Sequence, residues 1–363
     1  MTGPPSHCGI CGATDAFRLD VGTFFFPDYS YAPDLHDFDN YLCRGCGVVF
    51  AHPQIDEAAL VQYYNAGYRK SPHAYSIDGQ EIDIPIYPEK MAPSFRRFKN
   101  LSDTVQALAA SHPDCIPGGD DTIVDLGAYQ GLMLYAATEI WGCEGIAIDY
   151  NRDGIRFARD FLGLKKSRPT EDLFSETFAD KARFVTMFHS LEHLREPERF
   201  LVHIRKNILA DGGYLYVEVP NLFGAPLADP THFYTYSRES LTYLMEKSGY
   251  RILRLALNGH PENNDFMGRN KEQNILCIAQ PAPSVGQPVA PEINAGQMQR
   301  DIRRHYRAHG WGGVRRQLNL AMGEAARFAY SFAFAVVFDR VAPKVSRRLL
   351  RSIRNRHRQE PPS

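Results

Sequence analysis

Long apolar runs are missing from this chain of 363 residues. The longest candidate, Phe328 to Phe338 (FAYSFAFAVVF), is too short for a bilayer-spanning helix, so a helical membrane anchor is not expected. The opening MTGPPSHCGIC lacks a charged start followed by an apolar core, and no secretory signal is read there. Cysteine is sparse. Seven in a chain of this size do not make a disulfide framework, and without a signal segment they are expected as reduced thiols in the cytoplasm. There is no internal repeat, and no G-x-x-x-x-G-K-[ST] loop of the P-loop nucleotide enzymes.

Net charge is also small, formally −1, but it is unevenly spread. Residues 300–363 hold 15 Lys+Arg against 4 Asp+Glu, a balance of +11 that leaves −12 for the rest. Such asymmetry predicts a basic tail that meets an anionic surface or folds back on its own acidic body.

What is present divides into five segments. Residues 1–55 are rich in Cys, Gly, Pro and aromatics with short strand-like runs (FRLDVGTFFF, GVVFAH), the style of a small ribbon. Residues 56–110 read as a helical connector around aromatic clusters (LVQYYNAGY, SFRRFKNLSDTVQALAA). Residues 111–280 alternate strand, turn and helix, 281–294 are a Pro-rich linker, and 295–363 are a helical tail with a basic end.

In the third segment the predicted strands are TIVDLG, GIAIDY, ARFVTMF, GYLYVEVP, RILRLAL and NILCIA, with helices at 130–140, 152–162, 196–209 and 237–248. Near-continuous apolar strands between amphipathic helices predict an α/β fold with a mainly parallel sheet covered on both faces. The last two strands follow each other without a helix, which predicts an antiparallel hairpin at one edge.

The first strand runs into a distinctive turn, IVDLGAYQGLMLYAA (residues 123 to 137). In an open α/β sheet the ligand crevice lies beyond the carboxyl ends of the strands, and the first such turn is its usual floor. Gly127 permits a tight or left-handed backbone, and Gly131 removes a Cβ where the helix begins. The helix start adds N–H groups and a positive dipole end, suited to a carboxylate or phosphate. A dinucleotide fingerprint would need glycine where Tyr129 and Leu132 stand, which argues against a nicotinamide oxidoreductase.

The D-x-G-x-x-x-G of Asp125, Gly127 and Gly131 resembles the first motif of class I S-adenosylmethionine-dependent methyltransferases, commonly D/E-x-G-x-G-x-G. It departs at Tyr129, where that family often has glycine. FVTMFHSLEHLREPERFL (184–201), LADGGYLYVEVPN (209–221) and THFYTYSRESLTYLMEKSGYRI resemble later segments of the same family, in the same order, over roughly residues 88–280. The resemblance implies a Rossmann-like class I methyltransferase sheet. It implies cofactor contacts from Asp125, Gly127, Ala128, Tyr129 and Gly131 on the turn, and from Phe188 and His189 after a later strand. Asp149 would hold the ribose hydroxyls, and Tyr150 would pack on adenine.

Cys8-x-x-Cys11 and Cys43-x-x-Cys46 each sit beside a glycine, with an insert of 31 residues (12 to 42) between the two pairs. Two such knuckles supply four thiolates for tetrahedral zinc, a closed structural site whose metal contributes folding energy to a ribbon too small to fold alone. The rival, a redox pair, would place one C-x-x-C at a helix start near a βαβ unit, and neither pair does. Cys115, Cys143 and Cys277 read as loop or core residues. Many methyltransferases of the resembled type carry such a ribbon, including some that act on nucleotide-linked sugars, and this implies a module that helps position the acceptor.

Methyl transfer is an in-line displacement that needs alignment and exclusion of water, plus a base when the acceptor is a hydroxyl or an acidic carbon. Glu192, His193 and His232 are the candidate catalytic residues. Glu192 and His193 could equally satisfy backbone groups of their turn, and His189-x-x-Glu192-His193 also admits a metal-assisted arrangement. Tyr63, Tyr64 and Tyr68 form a stripe at helical spacing, read as core packing or as a lid over the cofactor. VSRRLLRSIRNRHR after the aromatic FAYSFAFAVVF reads as a solvated terminal helix or as one lying on anionic lipid at the inner membrane face. No base-reading motif supports nucleic-acid binding.

The sequence therefore predicts a zinc-ribbon methyltransferase acting on an O or C atom of a sugar or glycan-like acceptor. The alternative is a catalytically silent scaffold that binds partners or membrane through ribbon and tail.

Overall fold

The computed structural model describes residues 5–19, 38–55, 75–77, 80–82, 88–224, 231–258, 272–282 and 290–304. The stripe of Tyr63, Tyr64 and Tyr68 and the basic tail beyond residue 304 lie outside the described residues. Among the described residues, no helix is long and apolar enough to cross a membrane.

In chain order the strands are β1 (Ala16–Leu19), β2 (Asp39–Cys43), β3 (Val49–His52), β4 (Tyr75–Ile77), β5 (Gln80–Ile82), β6 (Thr122–Leu126), β7 (Glu144–Asp149), β8 (Arg168–Pro169), β9 (Ala182–Phe188), β10 (Leu209–Pro220), β11 (Tyr234–Thr235), β12 (Tyr250–Asn258) and β13 (Asn274–Pro281). The helices are α1 (Pro88–Ala109), α2 (Leu132–Trp141), α3 (Arg152–Asp160), α4 (Pro197–Asn207) and α5 (Arg238–Lys247). The large sheet has seven strands in the order β12-β13-β10-β9-β6-β7-β8. Its centre is parallel, β6 pairing with β7 and β9, and β7 with β8. β13 runs antiparallel to both β10 and β12, which is the edge hairpin expected from two strands in succession.

By its described residues the chain forms two compact units, one of residues 75–77, 80–82 and 88–186, the other of 5–19, 38–55, 187–224, 231–258, 272–282 and 290–304. The boundary falls within β9.

The core of the first unit is made by Ile123, Val124 and Leu126 of β6, Ile146 to Ile148 of β7, and Leu132 to Ala137 of α2, all buried. A helix apolar on every face belongs inside, and α2 has no charged residue until Glu139. It ends at Gly142, whose φ of +75° gives the left-handed cap that glycine adopts without strain. Along α1, Phe95, Phe98, Leu101, Val105 and Leu108 are buried at helical spacing, and Phe98 meets Trp141 edge-on with centroids 5.0 Å apart. α3 starts where the Asn151 side chain accepts the Gly154 N–H at 2.7 Å.

In the second unit, Leu215 to Val219 of β10 and Ile275 to Ala279 of β13 are buried against Phe200, Leu201 and Ile204 of α4 and Leu241, Leu244 and Met245 of α5. α4 begins on Pro197, the first-turn position where the missing N–H costs nothing, and α5 on a capping box of Ser237 and Ser240. A four-stranded sheet, β1-β2-β3-β11, carries the cysteines. Its small core gathers Leu19, Leu42, Val49, Leu222 and Ile302, with Met298 packed beside them.

Candidate functional site

In the first unit the turn after β6 is shaped by three left-handed residues, Gly127 (φ +82°), Tyr129 (φ +50°) and Gly131 (φ +67°). Gly131 is required sterically as well, because a Cβ there would lie 3.0 Å from Leu164 Cδ1 and 3.2 Å from Ala158 Cβ. Tyr129 occupies a conformation that favours glycine, which explains why the resembled motif has glycine at this place. Its N–H donates to Asp149 Oδ2 at 2.7 Å, while the Asn151 N–H donates to Asp149 Oδ1, also at 2.7 Å. One carboxylate at the end of β7 thus ties the glycine turn to the start of α3.

The N–H groups of Gly127 and Ala128 both donate to the Ile148 carbonyl. α2 begins at Gly131 with no side-chain cap and no acidic residue in its first turn, leaving a positive dipole end for an anionic ligand. Tyr150 is half exposed, and its hydroxyl accepts the Leu173 N–H at 3.3 Å. Asp125 is buried and accepts the Thr186 hydroxyl at 2.7 Å. Burial pushes the Asp125 carboxyl up to about 7; the Thr186 bond opposes this and the nearby Asp149 charge adds to it.

The second unit gathers Phe188, His189, Glu192, His193 and His232. His189 follows β9 with φ +52°, and its N–H donates to the Glu218 carbonyl at 2.9 Å. Its ring is held between two carboxylates, Nδ1 lying 3.3 Å from Glu192 Oε1 and Nε2 3.3 Å from Glu218 Oε1. Both glutamates are fully buried.

His193 Nδ1 donates to the Thr231 carbonyl at 2.9 Å, and its Nε2 lies 3.9 Å from Glu192 Oε1. His232 packs edge-on against His193 with centroids 4.8 Å apart. Burial would raise the Glu192 pKa, but the His189 bond and the charges of His189, His193 and His232 outweigh it and hold the carboxyl at about 2. Tyr236, next to this group in its electrostatics, is fully buried and raised by burial.

Sequence reading missed Glu218, Thr186 and Thr231. Glu218 had a signal, a lone carboxylate inside the apolar strand YLYVEVP. Thr231 acts through its carbonyl, which no sequence signal marks.

Cys8, Cys11, Cys43 and Cys46 converge, with all four sulfurs within 4.8 Å of one another. Cys8 Sγ lies 3.9 Å from Cys46 Sγ, and Cys11 Sγ 3.4 Å from Cys43 Sγ. A tetrahedron with metal–sulfur bonds of about 2.3 Å has edges of roughly 3.8 Å, so the set fits a tetrahedral metal ion. None of the four is in a disulfide. Cys115, Cys143 and Cys277 are buried apart from this group.

Residues 94–255 match a family model described as a methyltransferase domain, a span that contains the glycine turn, Asp149 and the Glu192 cluster. No curated protein matches the chain. Among solved structures it is similar to a SAM-dependent methyltransferase from Aquifex aeolicus, at 18% identity over 52% of this chain and 98% of that one, TM-score 0.38. It is also similar to an S-adenosylmethionine-dependent methyltransferase from Mesorhizobium loti, at 15% identity over 48% and 96%, TM-score 0.39. A third is the glycopeptide N-methyltransferase MtfA complexed with sinefungin, at 11% identity over 62% and 98%, TM-score 0.39. Residues 94–255 thus carry a methyltransferase domain, within a chain of Rossmann-like α/β architecture.

Proposed function

We propose that the chain moves the methyl group of S-adenosylmethionine to an oxygen or carbon atom of a sugar or glycan-like acceptor, and that Cys8, Cys11, Cys43 and Cys46 hold a structural zinc ion. The carrying observation is the turn of Gly127, Tyr129 and Gly131, tied down by the Asp149 carboxylate. The bound cofactor supplies a methyl group activated on a sulfonium. The Asp149 carboxylate, which already ties down the turn, would hold the ribose hydroxyls, the half-exposed Tyr150 ring would pack on the base, and the uncapped start of α2 would receive the carboxylate. Asp125 and Thr186 fix the end of β6 beneath the turn.

At the acceptor, His193 takes the proton on Nε2 while its Nδ1–H stays on the Thr231 carbonyl. Glu192, anionic and 3.9 Å away, stabilises the resulting imidazolium, and His232 orients the acceptor. The sugar-type acceptor rests on the likeness of the cysteine ribbon to those of methyltransferases acting on nucleotide-linked sugars. In this reading residues 1–55 are the ribbon, 56–110 a connector, 111–280 the catalytic domain, 281–294 a linker and 295–363 a basic tail that meets anionic lipid in the cytoplasm.

Calorimetry and a transfer assay test the proposal. Well-folded, zinc-loaded protein is expected to bind S-adenosylmethionine and to label a nucleotide-linked sugar with its methyl group. Folded protein that binds no cofactor would instead support a silent scaffold. Zinc is expected at one ion per chain and absent from Cys43→Ser; full zinc content in that variant refutes the ligand set.

A further inference from the structure

One strand of the cysteine-bearing sheet comes from the segment that carries His232. β11 pairs antiparallel with β3, Tyr234 opposite Phe50 and Thr235 opposite Val49, and the Ala51 N–H donates to the Phe233 carbonyl at 3.1 Å. The first knuckle closes on the same segment, for the Tyr234 hydroxyl oxygen lies 2.1 Å from where a Cβ on Gly9 would stand. That hydroxyl donates to the Arg195 carbonyl at 3.2 Å, two residues beyond His193. The Arg195 guanidinium lies 4.8 Å over the Phe233 ring and reaches Gln54 Oε1 at 3.3 Å. Lys247, at the end of α5, donates to the carbonyl of Ile10 inside the knuckle at 2.6 Å. His193 is itself held by Thr231, at the start of this segment.

We propose that Tyr234 is a positioning residue: it ties the turn of His193 to Arg195 and the His232 segment to the first cysteine knuckle, so that metal loading of the four cysteines sets where His193 and His232 stand. The proposal rests on reading these histidines as the groups that meet the acceptor. A strand of two residues has little to hold it except its neighbour, and β3 belongs to a sheet whose core is small. Metal binding supplies much of the folding energy of such ribbons.

Gly9→Ala sets a methyl group against the Tyr234 oxygen. Tyr234→Phe removes that oxygen, and the next ring atom, Cζ, would be 3.3 Å from the new Cβ. The test uses the full chain loaded with zinc, with metal content and circular dichroism checked for every variant. The readouts are the imidazole resonances of His193 and His232, kcat, and cofactor affinity by calorimetry.

Gly9→Ala is expected to move both resonances and lower kcat about a hundredfold, the cost of a misplaced catalytic group, with cofactor affinity unchanged. Adding Tyr234→Phe is expected to return the double variant to the level of Tyr234→Phe alone, which moves the resonances less and leaves zinc content intact. Chelating the metal from the wild-type chain is expected to move the same two resonances. Unmoved resonances in Gly9→Ala, in Tyr234→Phe or after chelation overturn the proposal, as does a double variant no better than Gly9→Ala. Protein that shows the resonance changes yet never binds S-adenosylmethionine keeps the link and sinks the methyl-transfer reading it serves.

Discussion

Asp125 and Glu192 are both sealed from solvent, yet their carboxyl groups are driven in opposite directions. Asp125, in the unit of the glycine turn, is pushed up to about 7 by burial, with one threonine hydroxyl against that rise and the Asp149 charge adding to it. Glu192, in the other unit, meets the same penalty and is nevertheless held at about 2 by the His189 bond and three surrounding imidazoles. Burial therefore does not decide the charge of a carboxyl group here; its partners do. The turn is built from backbone geometry and presents groups to a ligand. The histidine cluster instead sets a buried carboxylate among three imidazoles.

Removing the charge of Glu192 should break this contrast most severely. Glu192→Gln removes the buried anion that these imidazoles surround, and a loss of about 3 kcal/mol or more in denaturant unfolding is expected, together with loss of turnover. A variant as stable and active as wild type would show the cluster needs no such charge.

Asp149→Ala comes next. It removes a charged acceptor on the turn side, so cofactor affinity should fall by about 2 kcal/mol, roughly thirtyfold in Kd, with the fold intact. Unchanged affinity in calorimetry would remove the ribose role.

The two carboxyl groups also predict opposite slopes of stability with pH. The folded pKa of Asp125 lies above its unfolded value near 3.8, so its contribution is full below that value and is lost as pH rises toward 7. That of Glu192 lies below its unfolded value near 4.5, so its contribution is full above 4.5 and is lost as pH falls toward 2. Unfolding midpoints measured between these limits should lose the upper slope in Asp125→Asn and the lower slope in Glu192→Gln. Persistence of either slope in its variant would assign it to another group.

The smallest effect is expected at Tyr129. Tyr129→Gly relieves a left-handed backbone worth about 1 kcal/mol and gives back roughly as much in chain entropy, so stability should change by less than about 1 kcal/mol. An accompanying loss of cofactor affinity would show that the ring itself touches the ligand.

The legible parts of this molecule are the local ones. The order of strands and helices, the edge hairpin and the glycine turn follow from contiguous residues, and the two C-x-x-C pairs announce themselves by spacing. Asp149, too, stands out at the end of an apolar strand. The histidine cluster is different, because its partners are drawn from the end of β9, the turn after it, β10 and residues 231–236. Glu218 reaches His189 only through the pairing of distant strands, and Thr231 contributes a carbonyl that every residue possesses. β11 is two residues long, too short for any alternation of apolar and polar side chains to show.

The late arrival of that strand also bears on how the molecule can be cut. A fragment ended at residue 55 would leave Val49–His52 with a bare row of N–H and C=O groups, a template on which a second copy could add itself. An excised ribbon would then self-associate even when loaded with metal, and the smallest well-behaved piece must extend past Thr235.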